Sequence, residues 1–481
     1  MTIVPHPQST CRFAIARTEI TPPVGIYHRM WGAATHDRSE GVHRPLYATT
    51  LLFKPLTGNG PADDAFLLVA LDLCVMCSEE LDPIVENIAR ATGLDRSKIS
   101  VTFAHTHGVG RYSPDRVGLP GGELIPEVLH DLSRIIAEMA TGCLESTGEV
   151  RIHYGSGRCQ LAANRDFLDP NSGRYVCGYN PDAKADDQVV FARISRPTGE
   201  LVATVVNYAC HPTSLAWENR LLSPDFPGAM RELVENVTAV PCVFVQGASG
   251  ELGPRVGFSG EVEVADRNGR QLGYAALSVF ESIPRVGTDF EYTGAVQSGA
   301  LLGTWTDRRV NPDREAVIGL WEARSEVIDL PYREDLPTVV QLEADLARWS
   351  DLETGGTPKS DPTINPRAEA EKTKRFLERR RSMPNGETYP YRTSLMRIGD
   401  AVWVSVQGEP YSLLQTELRS RFPDFMIIVA SISNSWDAAY LPPADTYGSG
   451  RYQEEIAVLA PGCLETLIDH LTATIAEMVG E

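Results

Sequence analysis

Val101-Thr102-Phe103-Ala104-His105-Thr106-His107-Gly108 is an extended apolar run that ends in two histidines one residue apart. Side chains alternate between the faces of a strand, so this spacing predicts His105 and His107 on one face, at the mouth of a single strand. Neutral imidazole is a common zinc ligand and titrates near physiological pH, which suits metal binding or proton transfer. Taken alone, the motif fits an edge strand with two solvent-facing histidines as well, and the groups further along the chain decide between the two.

Upstream, Phe66-Leu67-Leu68-Val69-Ala70-Leu71-Asp72-Leu73 is a continuous apolar run of the kind buried on both faces of a sheet. Ser78 then caps a helix that runs to about Ala91, with Leu81, Ile84, Ile88 and Ala89 at helical spacing and Gly93 as its stop. Strand, helix and strand in succession imply parallel pairing and a right-handed crossover. In such sheets ligands collect at the carboxyl ends of strands, where Asp72 and His105 fall. Downstream, residues 111–122 are rich in glycine and proline and read as a loop over that edge, followed by a helix over 126–139.

The pattern recurs. A strand over 201–208 is followed three residues later by His211, Asp225 and Pro227 mark a helix start, and a strand at Val243-Phe244-Val245 leads to a Gly-rich turn over 246–254. Asp225 reads as a helix cap rather than a catalytic acid. Residues 307–385 are dense in charge (Glu369, Glu371, Lys372, Lys374, Arg375, Glu378, Arg379, Arg380, Arg381) and broken by Gly355, Gly356, Pro358, Pro362 and Pro366. They read as two solvated helices around a loop, outside the fold. The chain re-enters the core as a hairpin over 393–406 with a Gly399-Asp400 turn, and its second strand delivers Glu409. A strand over 426–431 and a closing helix over 463–478 follow, with His130 and His470 both on exposed faces. The fold class expected is a single α/β domain over 1–481, with largely parallel central strands flanked by helices and the site at the carboxyl ends of strands.

Of the 481 residues, 42% are apolar and 22% charged, which suits a globular chain with a sizeable core. A formal charge of −20 argues against nucleic acid and anionic membrane surfaces as partners. The first 20 residues hold no continuous apolar segment of a secretory signal, and no run approaches the ~18 apolar residues of a spanning helix, so neither export nor membrane insertion is expected. Nine scattered cysteines fit reduced thiols and a cytoplasmic setting. The lone Cys74-Val75-Met76-Cys77 pair reads as two buried small hydrophobes rather than a redox site.

Gly41-Val42-His43-Arg44-Pro45-Leu46-Tyr47-Ala48, the His-Thr-His strand, Asn164-Arg165, the His211 segment, the turn over 246–254, Gly408-Glu409 and the stretch from Tyr440 to Glu454 occur in an order that resembles the neutral (non-lysosomal) ceramidases across essentially the whole chain. The resemblance implies that His105, His211, Glu409 and Tyr440 ligate one Zn2+, and that His107, Arg165 and Tyr452 bind the scissile carbonyl and its developing oxyanion. It implies a zinc-dependent hydrolase in which metal-activated water cleaves an amide, or an ester, of a small soluble substrate. At one place the chain departs from the pattern. Gly253 stands where ceramidases carry a serine with a nucleophilic or substrate-orienting role, and Glu251, where they have an uncharged or shorter side chain, is expected to add a carboxylate to the pocket. Ceramide as substrate is therefore in doubt. A metal-dependent lyase or isomerase on a carbohydrate-like substrate, with Glu251 as acid or base, is the alternative. A non-catalytic ligand-binding relative is a third reading.

Overall fold

Eight strands form the main sheet of the computed structural model, which describes residues 2–57, 64–354 and 364–480. They are β1 (Gln8–Glu19), β2 (Tyr47–Lys54), β3 (Phe66–Leu71), β4 (Ile99–Phe103), β5 (Gly148–Arg158), β6 (Gln188–Ser195), β7 (Leu201–Tyr208) and β8 (Cys242–Gln246). Their spatial order is β8-β7-β6-β5-β1-β2-β3-β4. The two crossover units expected from the sequence stand at opposite edges. Helix α1 (Ser78–Thr92) joins the parallel pair β3 and β4, in register Val69 to Val101, and α3 (Phe226–Thr238) joins β7 and β8, in register Val206 to Phe244. Helix α2 (Ile125–Glu145) packs beside α1, and α4 (Val262–Ser282) beside α3.

Every other pairing in this sheet is antiparallel, so the sheet is mixed and the expectation of largely parallel central strands is corrected. The reason is connection chemistry. Parallel neighbours need a crossover of a dozen residues or more, and the middle strands are joined without a helix between them, as at the Pro197-Thr198-Gly199 turn between β6 and β7. The His-Thr-His stretch is a second correction. The strand stops at Phe103, and His105 takes a left-handed backbone, with φ of 66°, so a turn rather than strand alternation brings His105 and His107 together.

A second sheet, β9 (Trp321–Pro331), β10 (Thr388–Ile398), β11 (Ala401–Val406) and β12 (Met426–Ala430), lies in that order, with only β11 and β12 parallel across α7 (Leu413–Arg421). Phe13, Phe53, Ile152 and Val205 of the main sheet bury against Met396, Ile398, Trp403 and Ile428 of the second. The main sheet's other face is covered by α1 to α4, and the second sheet's other face by α7 and the closing helix α8 (Cys463–Val479). Four layers result: helices, sheet, sheet, helices.

The charged segment over 307–385 is more integrated than its composition suggests. It contains β9, an edge strand whose polar residues face outward while Ile328 and Leu330 are buried. Helix α5 (Val339–Thr354) is largely exposed, as expected, whereas α6 (Pro366–Ser382) buries Ala370, Glu371, Leu377 and Arg379. Its charges are matched on the body of the molecule. Arg116 Nη1 donates to Glu371 at 3.0 Å, and Arg375 Nη2 donates to the Met30 carbonyl at 2.6 Å. Gly355, Gly356, Pro358 and Pro362 lie outside the described residues; Pro366 opens α6. Among the described residues no helix is long and apolar enough to cross a membrane.

Candidate metal centre

The carboxyl ends of four strands converge on one buried point. His105 stands two residues past β4, His211 three past β7, and Glu409 three past β11; Tyr440, beyond β12, pairs in parallel with Glu409 through a short two-stranded ladder. His211 Nε2 lies 2.7 Å and His105 Nε2 3.3 Å from Glu409 Oε2, and all three side chains are at most 3% exposed. Tyr440 Oη is 3.4 Å from His211 Nε2, at the rim of the cluster.

The outer hydrogen bonds settle which ring nitrogens face inward. His105 Nδ1 donates to the Cys74 carbonyl at 3.0 Å, and His211 Nδ1 to the carbonyls of Ser249 at 2.7 Å and Leu252 at 3.0 Å. Carbonyl oxygens only accept, so each Nδ1 carries a proton and each Nε2 is the nitrogen turned toward the carboxylate. Trp436 Nε1 donates to Glu409 Oε1 and holds that carboxylate so that Oε2 faces the imidazoles. Two imidazole Nε2 atoms and a carboxylate oxygen aimed at one spot, each oriented from behind, fit a divalent cation that takes the place of a proton there. Cys74 Sγ, 3.7 Å from His105 Nδ1, joins His105 and His107 in a second possible donor group, but that nitrogen is already committed to the Cys74 carbonyl.

The electrostatics of the four groups divide: Glu409 is ionised, His211 and His107 are neutral, and His105 is held as a cation. Burial would raise Glu409, but His105 and His211 hold it well below the usual carboxylate range and so ionised. Burial and the Arg165 guanidinium press His211 down to about 4, and burial with the neighbouring His105 and His211 keeps His107 well below its ordinary value. Burial opposes charge on His105, yet Glu409 and Cys74 lift it to about 10, so a cation bound at this point would take the place of the proton on His105 Nε2.

The three residues expected to handle the carbonyl gather around this point. His107 is half-buried, with its ring 4.8 Å from that of His105 and 5.2 Å from that of Trp31. Arg165 Nη2 donates to the Gly250 carbonyl at 2.6 Å and to Tyr440 Oη at 3.1 Å. Tyr452, 43% exposed, presents its ring 5.9 Å from that of Tyr440, and all three residues line one cavity of about 810 Å³ with His105 and Glu409. Glu251, expected to add a carboxylate to the same pocket, does not. Its carboxylate accepts from Ser412 N at 3.0 and 2.9 Å and from Ser412 Oγ, at the start of α7, and it faces a different cavity. Gly253 has room for a small side chain in ordinary contact: a Cβ there would stand 3.6 Å from Arg165 Cδ and 3.8 Å from Thr213 Oγ1. Asp225 caps α3 through Phe226 N, and Asp72, at the end of β3, pairs with Arg231, so both carboxylates are committed elsewhere.

Sequence patterns miss Trp436, Trp31 and the α6 side chains Glu371, Arg375 and Arg379, which also line the cavity. The one available signal is their spacing. Glu371, Arg375 and Arg379 recur every four residues, one face of a helix.

No family model matches the chain. A curated neutral ceramidase of Pseudomonas aeruginosa is 21% identical over 282 residues, a stretch spanning 54% of this chain and 40% of the relative. Among solved structures, the crystal structure of neutral ceramidase from Pseudomonas aeruginosa superposes with a TM-score of 0.66 at 15% identity, covering 98% of this chain and 75% of that one. A ceramidase complexed with C2 gives 0.64 at 15% identity, covering 98% and 76%. This chain thus has the fold of neutral ceramidase and resembles that protein in sequence.

Proposed function

We propose that this chain is a catalytic domain that hydrolyses an amide bond of a small polar molecule at a zinc ion held by His105, His211, Glu409 and Tyr440. The observation that carries the reading is the pair of inward Nε2 atoms fixed by backbone carbonyls against one carboxylate oxygen. A zinc ion bound there supplies Lewis-acid activation of water and of the scissile carbonyl. The chain's own groups do the rest. Arg165, already bonded to Tyr440, extends its cationic fork toward the developing oxyanion, and His107 and Tyr452 offer donors from the cavity side. Trp436 keeps Glu409 from rotating. Water attack needs no serine at Gly253, so hydrolysis survives the departure that removes a ceramidase feature.

The charged wall contributed by α6 favours a polar substrate over a two-tailed lipid. The lyase or isomerase alternative needs Glu251 as acid or base, and the binding of that carboxylate to Ser412 weighs against it. Elemental analysis of the purified protein beside His211→Ala and Glu409→Ala variants, coupled to amide cleavage in 18O-labelled water, tests the proposal. The expectation is about one zinc per chain in the wild type, lost from both variants, with solvent oxygen in the acyl product. A wild type that takes up no metal on reconstitution, or turnover that places no solvent oxygen in the product, would refute it.

A further inference from the structure

The cavity beside the metal centre is lined by more cations than the metal chemistry uses. Two of them are already satisfied: Arg375 Nε donates to Glu371 Oε1 at 2.7 Å, and Lys372 pairs with Glu369 at 2.9 Å. Arg379 and Arg111 are different. Arg379 is 1% exposed, and its one hydrogen bond runs from Nη2 to the Ile456 carbonyl at 3.3 Å; its Nε and Nη1 find no acceptor, and no carboxylate pairs with it among the described residues. Arg111, 5% exposed, donates from Nη2 to Cys77 Sγ at 3.3 Å. Its nearest carboxylate, Glu378, is 3.8 Å away, and its Nη1 finds no acceptor. Both guanidinium groups stand over Trp436, at 4.6 Å for Arg379 and 5.9 Å for Arg111, and Trp436 is the residue that holds Glu409.

Buried like charges without a hydrogen-bonded anion are strongly disfavoured, and orphaned N–H groups add to the cost. Burial pulls the Arg379 guanidinium down to about 10, the direction expected of a cation lacking its counter-charge. Arg111, for all its burial, is held above its ordinary value by Cys77, Glu378 and Glu80, so the unmet charge is that of Arg379 and Arg111 adds its free Nη1 beside it. The fold tolerates the arrangement where a ligand entering the cavity completes it. Guanidinium forks match planar oxyanions, bidentately and with geometric specificity.

We propose that Arg379 and Arg111, flanking Trp436, form a receptor for a carboxylate on the substrate, which makes the substrate class acid-bearing amides such as N-acyl amino acids. This deepens the hydrolase reading, because the receptor lies across Trp436 from the group that would hold the metal. The carboxylate is anchored on the α6 side while the amide carbonyl reaches Arg165 and His107.

Calorimetric binding to the full chain separates the two ideas. The probes are a set of N-acetyl amino acids, the same compounds capped as carboxamides, and inorganic phosphate, titrated into wild type, Arg379→Gln, Arg379→Lys and Arg111→Gln. The wild type is expected to prefer the free acids by about tenfold or more, in line with a charge-assisted pair. Arg379→Gln and Arg111→Gln should each reduce that preference toward unity while the metal content stays at wild-type level. Arg379→Lys, which keeps the charge without the fork, should retain part of it. Equal binding of acids and capped analogues, no binding of either, a preference for phosphate without one for acids, or an undiminished preference in both glutamine variants would overturn the inference. If one glutamine variant fails to fold, the other and Arg379→Lys still read the receptor. Acid binding without turnover would sink the hydrolase reading alone, and turnover without acid preference would sink the receptor alone.

Discussion

At the scale of single residues, His105 and His211 each have one ring nitrogen committed to a backbone carbonyl and one facing the interior. Residue types at 105, 211 and 409 are legible in the sequence because each follows an apolar strand. Their tautomers are not, because the accepting carbonyls at Cys74, Ser249 and Leu252 come from elsewhere in the chain. Glu251 shows the converse: its position in the Gly-rich turn is legible, and its direction is not. Burial lifts its carboxyl from 4.5 to about 7 even though Ser412 donates to it. Between those values the folded chain holds the proton more tightly than the unfolded chain, so this group's contribution to stability is lost as pH rises from 4.5 to about 7. Glu251→Gln removes the titration. Its unfolding free energy relative to wild type, read by denaturant titration at each pH, should therefore climb between pH 5 and pH 8, by an amount on the order of 3 kcal/mol at most. A difference that stays flat across that range would contradict the buried, partly protonated carboxyl. Metal content should not change in this variant.

At the scale of elements, α6 is where composition misleads. A run such as Glu371-Lys372-Thr373-Lys374-Arg375 has the look of a solvated face, but Glu371 is buried against Arg116 and Arg375. Charge density marks an exposed helix only when no oppositely charged partners wait on the surface it meets, and Arg116 sits in a loop more than 200 residues upstream. The seat of α6 is tight. A Cβ at Gly32 would lie 2.9 Å from Ala368 Cα, a backbone atom that cannot give way without moving the helix. Gly32→Ala should lift the start of α6 from the cavity mouth. Hydrogen exchange over 366–382 is expected to rise in that variant while α1 and α3 keep their protection. Unchanged exchange in α6 would show that the contact does not hold the helix. By contrast, α1, α3 and the closing helix are legible almost to their ends, because apolar periodicity and capping residues act locally.

At the scale of the whole molecule, the two edges of the main sheet are joined. The segment after β12 bonds to both, Ser431 N to the Gln246 carbonyl at 2.9 Å and Asn434 N to the Val101 carbonyl at 2.8 Å, which draws the ends of β8 and β4 to one place. Asp72, just past β3, meets Arg231 of α3 across the same junction through two bonds of 3.0 and 2.7 Å, with both side chains buried. Breaking a buried pair leaves an uncompensated charge, so Arg231→Met should cost ~3–5 kcal/mol in denaturant unfolding, and Asp72→Asn in the same chain should return much of it. A loss under about 1 kcal/mol in the single variant would mean the pair behaves as a surface contact. The sequence by itself determined the helices, the apolar strands and the identity of the groups at their carboxyl ends, because periodicity, capping and strand-end position are properties of neighbouring residues. The tertiary structure alone decided that the central sheet is mixed, that the edges meet so four strand ends share one cation-sized point, and that α6 closes the cavity with Arg379. Those outcomes depend on which distant segments pair, and hydrogen bonds and ion pairs between residues hundreds of positions apart leave no local pattern to read.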